Sequence, residues 1–276
     1  MARLLVYSDL HMEFDAFVPP DPAGLGPIDG VLLAGDTDSG GRHIIRAAEI
    51  ALHFDAPVRM VRGNHEPYGT VWEEFLATER EDLARFRDAG ADIAVLDGTS
   101  DIIAGTEIVG ATLWTDFAAT PEGQAHAMIV ASHAMADYRA IRIGAARRPL
   151  TPADVLALHA RDKARLWTLL ARPRRGPRIV MTHHMPVVEA VHPKWAGAGA
   201  MNAAFANNMM GDIIEMDFDA WICGHSHEIR QTDIPGPRGP RPLIANPRGY
   251  PHETTIFDPT FILDTTAFPP RENTPP

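Results

Sequence analysis

The chain has one cysteine, Cys223, which excludes an intrachain disulfide and fits a reducing compartment. It has no run approaching the roughly 20 apolar residues that a membrane-spanning helix needs. Its first residues, MARLLVYSDL, hold an apolar stretch of only about five residues that stops at Asp9, short of a secretory h-region. The expectation is a cytoplasmic protein without membrane association. Cationic side chains are also scarce: 25 Lys and Arg face 36 Asp and Glu, for a formal net charge of −11. That balance argues against an extended nucleic-acid surface, which needs a basic face. It leaves anionic small molecules open, because bound divalent cations reverse a local field.

What is present belongs to a folded enzyme. Hydrophobic residues make up 45% and charged residues 22% of 276, an ordinary globular composition in a chain long enough for a large core. Five short apolar runs each end in polar residues able to bind metal. Leu4–Tyr7 leads into Ser8-Asp9-Leu10-His11, Val31–Ala34 into Gly35-Asp36, and Val58–Val61 into Gly63-Asn64-His65-Glu66. Ile179–Met181 leads into Thr182-His183-His184, and Ala220–Cys223 into Gly224-His225-Ser226-His227. Such runs read as buried strands. A helical segment at about 41–53 separates the second from the third, which is the strand–helix–strand signature of a doubly wound sheet. Ligands of such sheets bind beyond the carboxyl ends of the strands, where all five polar clusters fall.

Further along, 71–89 reads as a helix and 106–113 as a strand. The segment from about 121 to 172 reads as helical, with Thr151 as N-cap before Pro152 and Asp154. Residues 185–211 look like a loop with a short helix, 233–242 a turn-rich connection, and 269–276 a mobile tail. The apolar stretch 257–268 reads as an arm packing on this subunit or on another, which leaves a homo-oligomer open.

Taken singly, the clusters differ in weight. A shuffled chain of this composition would show roughly one Asp-x-His, as in Asp9/His11. About one in twenty would contain Gly-His-x-His, and a few per thousand the Gly63–Glu66 tetrapeptide. The ordered set, each member after a strand, is what carries the reading. Carboxylate and imidazole donors without thiolate suit manganese, iron, zinc or nickel. Two ions about 3.5–4 Å apart need a bridging ligand, and a carboxylate is the natural one. Residues two apart on a strand end need a local turn before their side chains converge; Ser8, Gly63 and Gly224 are the expected sources.

The ordered set closely resembles the calcineurin-like metallophosphoesterase superfamily, whose pattern is D-x-H, G-D, G-N-H-[D/E], H and G-H-x-H. The resemblance spans Asp9 to His227. It implies an α/β fold of four layers, an αββα sandwich with a helical insertion at about 121–172, in a single domain over 1–268. It also implies that Asp9, His11 and His227 hold one metal, that Asn64, His225 and the fourth-motif histidine hold the other, and that Asp36 bridges. His65 would stand beside the substrate as a catalytic donor. Thr182-His183-His184-Met185-Pro186 offers both His183 and His184 for the fourth motif, and both are kept. A looser likeness to one bacterial subgroup covers Asn64–Gly69, Trp114–Phe117 and Asn246–Tyr250, and adds Arg248, Tyr68 and Asp116 as candidate substrate-binding residues.

The expected reaction is hydrolysis of a small-molecule phosphate ester. Water held between two ions is the nucleophile, its pKa lowered from about 15.7 toward about 7. A phosphodiesterase is favoured because the helical segment and the 185–211 loop can cap a larger leaving group. A phosphomonoesterase on the same site and a non-catalytic scaffold of this fold are the alternatives. A metallo-β-lactamase lacks support, since no H-x-H-x-D-H run is present.

Overall fold

Each of the five apolar runs forms a strand in the computed structural model, which describes residues 2–228, 230–255 and 257–268. The expected tail at 269–276 lies outside the described residues. In chain order the elements begin with β1 (Arg3–Tyr7), α1 (Pro22–Leu25), β2 (Gly30–Ala34), α2 (His43–Phe54) and β3 (Val58–Val61). α3 (Trp72–Asp88), β4 (Ile93–Val95), β5 (Thr99–Ile103), β6 (Thr106–Ala111), α4 (Gln124–Ala134) and α5 (Asp137–Ala140) follow. β7 (Arg142–Ile143), β8 (Arg148–Pro149), α6 (Pro152–Leu170), β9 (Arg178–Thr182) and α7 (Met210–Ile213) come next. β10 (Ala220–Cys223), β11 (Arg230–Ile234), β12 (Arg241–Ala245) and β13 (Ile262–Asp264) complete the order.

One sheet runs β13-β1-β2-β3-β4, parallel except at β13; the other runs β11-β12-β10-β9-β6-β5, parallel at its centre and antiparallel at both edges. Strands β2, β3, β9 and β10 are buried along their whole length, as expected of parallel strands covered on both faces. Alternation then sorts their side chains. Leu4 and Val6 of β1 meet Ile179, Met181 and Ile222 of the other sheet in one buried cluster, while Leu5 and Tyr7 face α2. On the second sheet Val180 and Trp221 turn outward to join Leu166, Leu169 and Leu170 of α6. Helix, sheet, sheet, helix: the four-layer α/β architecture is present.

The segment expected to be a helical insertion is only partly so. Between α5 and α6 it holds the two-stranded hairpin β7–β8, and α6 is itself part of the outer helical layer, touching β5 and β6. Its start is a capping box. The Thr151 backbone N–H donates to Asp154 Oδ2 at 2.9 Å, the Asp154 N–H donates to Thr151 Oγ1 at 3.4 Å, and Pro152 sits at the first turn. Thr151→Ala is expected to cost about 1 kcal/mol, read as a lower urea midpoint at constant slope; an unchanged midpoint would show the cap to be idle.

A second expectation changes, and a third is met in one of its two forms. Residues 233–242 are not all turn: Asp233 pairs with Pro242 and Ile234 with Arg241 in the β11–β12 ladder, so only 235–240 connect. The Pro- and Gly-rich composition of those six residues masked the strand ends beside them. Residues 257–268 pack on this subunit, with β13 paired antiparallel to β1 and the Phe257 ring 5.8 Å from Tyr7. Among the described residues no helix is long and apolar enough to cross a membrane.

Candidate metal centre

The carboxyl ends of β1, β2 and β3 in one sheet and of β9 and β10 in the other open onto the same rim, and the five polar clusters meet there. The turns that let i and i+2 side chains converge come from the functional residues themselves. Asp9, His11, Asp36, His225 and His227 all have positive φ, between 45° and 69°. Asp and His tolerate this left-handed region better than most residues, yet each such residue costs on the order of 1–3 kcal/mol. Five of them around one rim mark a place where geometry is held against local preference. Gly63 and Gly224 serve a different purpose from the one expected, since neither has positive φ. A Cβ at Gly63 would overlap Asp36 Oδ1, and one at Gly224 would lie 2.6 Å from Asp9 Oδ2. They leave room for the carboxylates.

The ligand atoms of Asp9, His11, Asp36 and His227 lie within 4.8 Å of one another. His11 Nε2 and His227 Nε2 face each other at 2.9 Å, His227 Nε2 is 3.5 Å from Asp9 Oδ1, and His11 Nε2 is 3.8 Å from Asp36 Oδ2. The opposite ring nitrogens are already engaged: His11 Nδ1 pairs with Glu13 Oε1 at 3.1 Å and His227 Nδ1 with Glu253 Oε2 at 2.7 Å. Each Nδ1 therefore carries the hydrogen, and each neutral Nε2 offers a lone pair to the other. Asp9 Oδ2 is buried without a hydrogen-bond partner. Only a cation resolves such a contact, whether a proton or a metal ion. The electrostatics agree. Burial alone would depress His227, but Asp9 and Glu253 outweigh it and push the imidazole up to about 10.

A second group gathers Asp36, His183 and His225. His183 Nδ1 donates to the Ala34 carbonyl at 2.9 Å, so its Nε2 lone pair points at Asn64 Oδ1 (3.1 Å), His225 Nδ1 (3.2 Å) and Asp36 Oδ2 (3.4 Å). The Asn64 amide is oriented by Nδ2, which donates to Asp137 Oδ1 at 2.8 Å and to the Tyr68 hydroxyl at 3.1 Å. Its oxygen is thus left facing His183. Burial, then the nearby His183, holds His225 well below the ordinary histidine range, so its lone pair stays available. Burial lowers His183 but Asp36 reverses this and carries it up to about 9. Asp36, fully buried, is nevertheless held far below the usual carboxylate range by His183 and His65. Its Oδ2 is shared between the two groups, and its Oδ1 accepts the His65 N–H at 2.9 Å. Two acceptor oxygens, Asn64 Oδ1 and Asp36 Oδ2, converge on His183 Nε2 while His225 Nε2 is buried without a partner, and the donor set fits two hard-to-borderline cations.

His184 does not join them. It is absent from the converging groups; its ring packs 4.1 Å from His225 and 5.5 Å from Trp114, and burial keeps it neutral. Adjacent strand-end residues point to opposite sides, and His183 is the one that faces Asp36.

His65 stands at the edge of both groups. Its Nδ1 pairs with Glu13 Oε1 at 2.9 Å, its Nε2 meets the Tyr250 hydroxyl at 3.2 Å, and the ring stacks on Tyr68 at 4.2 Å. Burial would lower its pKa, but Asp36 and Glu13 together raise it above the ordinary value. Glu13 accordingly braces both His11 and His65. Glu66, buried beneath them, accepts the N–H groups of Asp36, Thr37 and Gly63 at 3.2, 2.9 and 2.7 Å and so ties the end of β2 to that of β3.

The three residues singled out for substrate contact fare unequally. Tyr68 lines the cleft above the centre, with its hydroxyl bonded to Asp137. Arg248 does not reach that cleft. Its guanidinium donates to Leu10 O, Asp15 O, Asp15 Oδ2 and Ala16 O at 2.8–3.2 Å, locking the loop that carries Glu13. Asp116 caps its own turn, accepting the Ala118 N–H at 2.8 Å, and lies outside the cleft. The partners that sequence reading missed are Glu13, Asp137, Tyr250 and Glu253. Tyr250 belongs to the Asn246–Tyr250 segment already noted, and within it Tyr250 and not Arg248 lines the cleft.

A family profile described as calcineurin-like phosphoesterase matches residues 2–228. Among solved structures, the phosphopantetheinyl hydrolase PptH from Mycobacterium tuberculosis superposes with a TM-score of 0.64 at 17% identity, over 90% of this chain and 89% of its own. A second is a looser likeness, with a TM-score of 0.49 at 14% identity over 90% and 91%. No curated protein sequence matches the chain.

Proposed function

The chain belongs to the calcineurin-like phosphoesterase family, metal-dependent hydrolases of phosphate esters, and from that premise we propose that it is a two-metal phosphoesterase acting on phosphodiesters. Asp9, His11 and His227 would hold one ion, Asn64, His183 and His225 the other, and Asp36 both. The observation carrying this reading is the pair of places where lone pairs converge, His11 Nε2 against His227 Nε2 and His183 Nε2 against Asn64 Oδ1 and Asp36 Oδ2. Bound ions would supply Lewis acidity and a water that is nucleophilic near neutral pH.

The chain's own groups have separate tasks. His65, its Nδ1 held by Glu13, presents Nε2 to the cleft beside Tyr250 and donates its proton to the ester oxygen that leaves. Tyr68 fixes the ring plane from one side. Glu13 and Glu253 hold His11 and His227 in the tautomer that offers Nε2. Glu13→Gln is expected to weaken metal binding and activity roughly 10–100-fold; calorimetric titration with Mn²⁺ giving wild-type affinity would remove Glu13 from the role.

The diester preference is supported by the size of the cleft, about 810 Å³, far more than a phosphate group needs, and by its two roofing segments. These are the end of α4 and the 3-10 stretch Pro193–Ala204, which touch each other. The neighbour's name, a phosphopantetheinyl hydrolase, is compatible with an ester carrying a long organic group. Comparison of bis-p-nitrophenyl phosphate with p-nitrophenyl phosphate, on enzyme shown by elemental analysis to hold two ions, tests the proposal. A higher kcat/KM on the diester supports it, and a higher value on the monoester reverses the preference.

A further inference from the structure

The cleft above the two ion-binding groups has two unlike halves. Its floor is the polar centre already described. Its remaining wall is largely apolar and includes Met135, Met185, Val191, Trp195, Met201 and Phe205. This wall begins at the centre itself, because the Phe205 ring lies 4.8 Å from that of His225. Near the other ion-binding group, Phe14 packs 6.1 Å from His11 and 5.4 Å from Tyr250.

Phe14 and Trp195 are 59% and 45% exposed, two of the six large hydrophobic side chains left open to solvent among the described residues. Both line this cleft. Exposed aromatic groups at one cavity mark a place where an apolar partner is taken up. Three methionines in the wall, unbranched and polarizable, adapt to a flexible ligand better than to a rigid ring.

Charge narrows the class further. Among the described residues lining the cleft, the one Lys or Arg is Arg42, and its guanidinium is held by Asp38 Oδ1 through Nε at 3.0 Å and Nη2 at 2.6 Å. Lys194, beside Trp195, is paired with Glu228. Glu13, Asp36 and Glu253 add negative charge. A second phosphate or a carboxylate on the organic arm would find no cation set aside for it.

Resting on the phosphoesterase reading above, we infer that the substrate is a phosphate ester whose organic arm is uncharged, flexible and largely apolar, lying against Trp195, Met201 and Phe205. Polyphosphate nucleotides and other esters with a charged arm are the class it excludes.

The test uses metal-loaded protein and three p-nitrophenyl phosphodiesters whose second ester group is methyl, hexyl or 5-carboxypentyl. The hexyl ester is expected to exceed the methyl ester in kcat/KM by at least about 10-fold, since each buried methylene contributes severalfold, and the 5-carboxypentyl ester to lose most of that gain. Trp195→Ala, a substitution at an exposed position, is expected to reduce the hexyl-to-methyl ratio at least threefold (roughly one aromatic contact). Equal methyl and hexyl rates, a preferred carboxypentyl ester, or an unchanged ratio in Trp195→Ala would each overturn the inference while leaving phosphoester hydrolysis intact. Calorimetric binding of hexyl phosphate against methyl phosphate separates the two claims. If no ester is cleaved yet hexyl phosphate binds at least about 10-fold more tightly, the hydrolase reading fails and the arm preference stands. If no ester is cleaved and the two bind alike, both fail.

Discussion

Asp36→Asn is expected to lower kcat by at least about 10³-fold and to strip bound metal, the largest single effect predicted here. Among the described residues Asp36 is the carboxylate that belongs to both groups, its Oδ2 3.8 Å from His11 Nε2 and 3.4 Å from His183 Nε2. An amide removes the charge that those imidazoles face, and in one rotamer turns N–H donors toward the acceptor-lined space. Oδ1 already accepts the His65 N–H, so that rotamer is the one an asparagine would adopt there, with its NH₂ at the shared position. The substitution is close to isosteric, so the fold should survive, as a near-wild-type urea midpoint would show. Full turnover with normal metal content would contradict the role of Asp36.

The second large effect concerns His65. His65→Ala is expected to reduce kcat by roughly 10²–10⁴, the range for a lost general acid, while metal content stays at the wild-type level. The separation follows from geometry. His65 Nε2 is 4.0 Å from Asp36 Oδ2 but 3.2 Å from the Tyr250 hydroxyl, and its Nδ1 is held by Glu13, so the ring faces the cleft. A leaving group that needs no proton, such as p-nitrophenolate, should be affected less than an alkoxide. Loss of metal in His65→Ala would make His65 an ion ligand, and equal loss with both leaving groups would remove it as the proton donor.

The fold and the clustering of the candidate ligands are legible in the sequence because their signals are local. A β-forming run followed by Asp, His or Asn is visible within ten residues, and parallel strands place such ends on one rim. What lay beyond reach depends on partners distant in the chain. Asp137 orients Asn64 across 73 residues, and Glu253 holds His227 across 26; nothing in the sequence around either carboxylate distinguishes it from a surface acid. The choice between His183 and His184 turned on which of two neighbouring side chains faces Asp36, a question of pleat that composition does not answer.

Arg248 illustrates the opposite case. Its position lies in a segment resembling the family, yet its guanidinium contacts run to the 10–16 loop, while Tyr250, two residues on, reaches His65. Positive φ at five of the functional residues was also hidden: the need for turns was foreseen, but the glycines were expected to supply them. Strain carried by the candidate ligands themselves is a tertiary property, sustained by the hydrogen bonds around it.

Anomalous diffraction from crystals grown with Mn²⁺ is the most direct test. Two peaks per chain are predicted, about 3.5–4 Å apart, one beside Asp9, His11 and His227, the other beside Asn64, His183 and His225, with Asp36 touching both. A map with no peak at the rim, or with Asp36 contacting neither ion, would contradict the account.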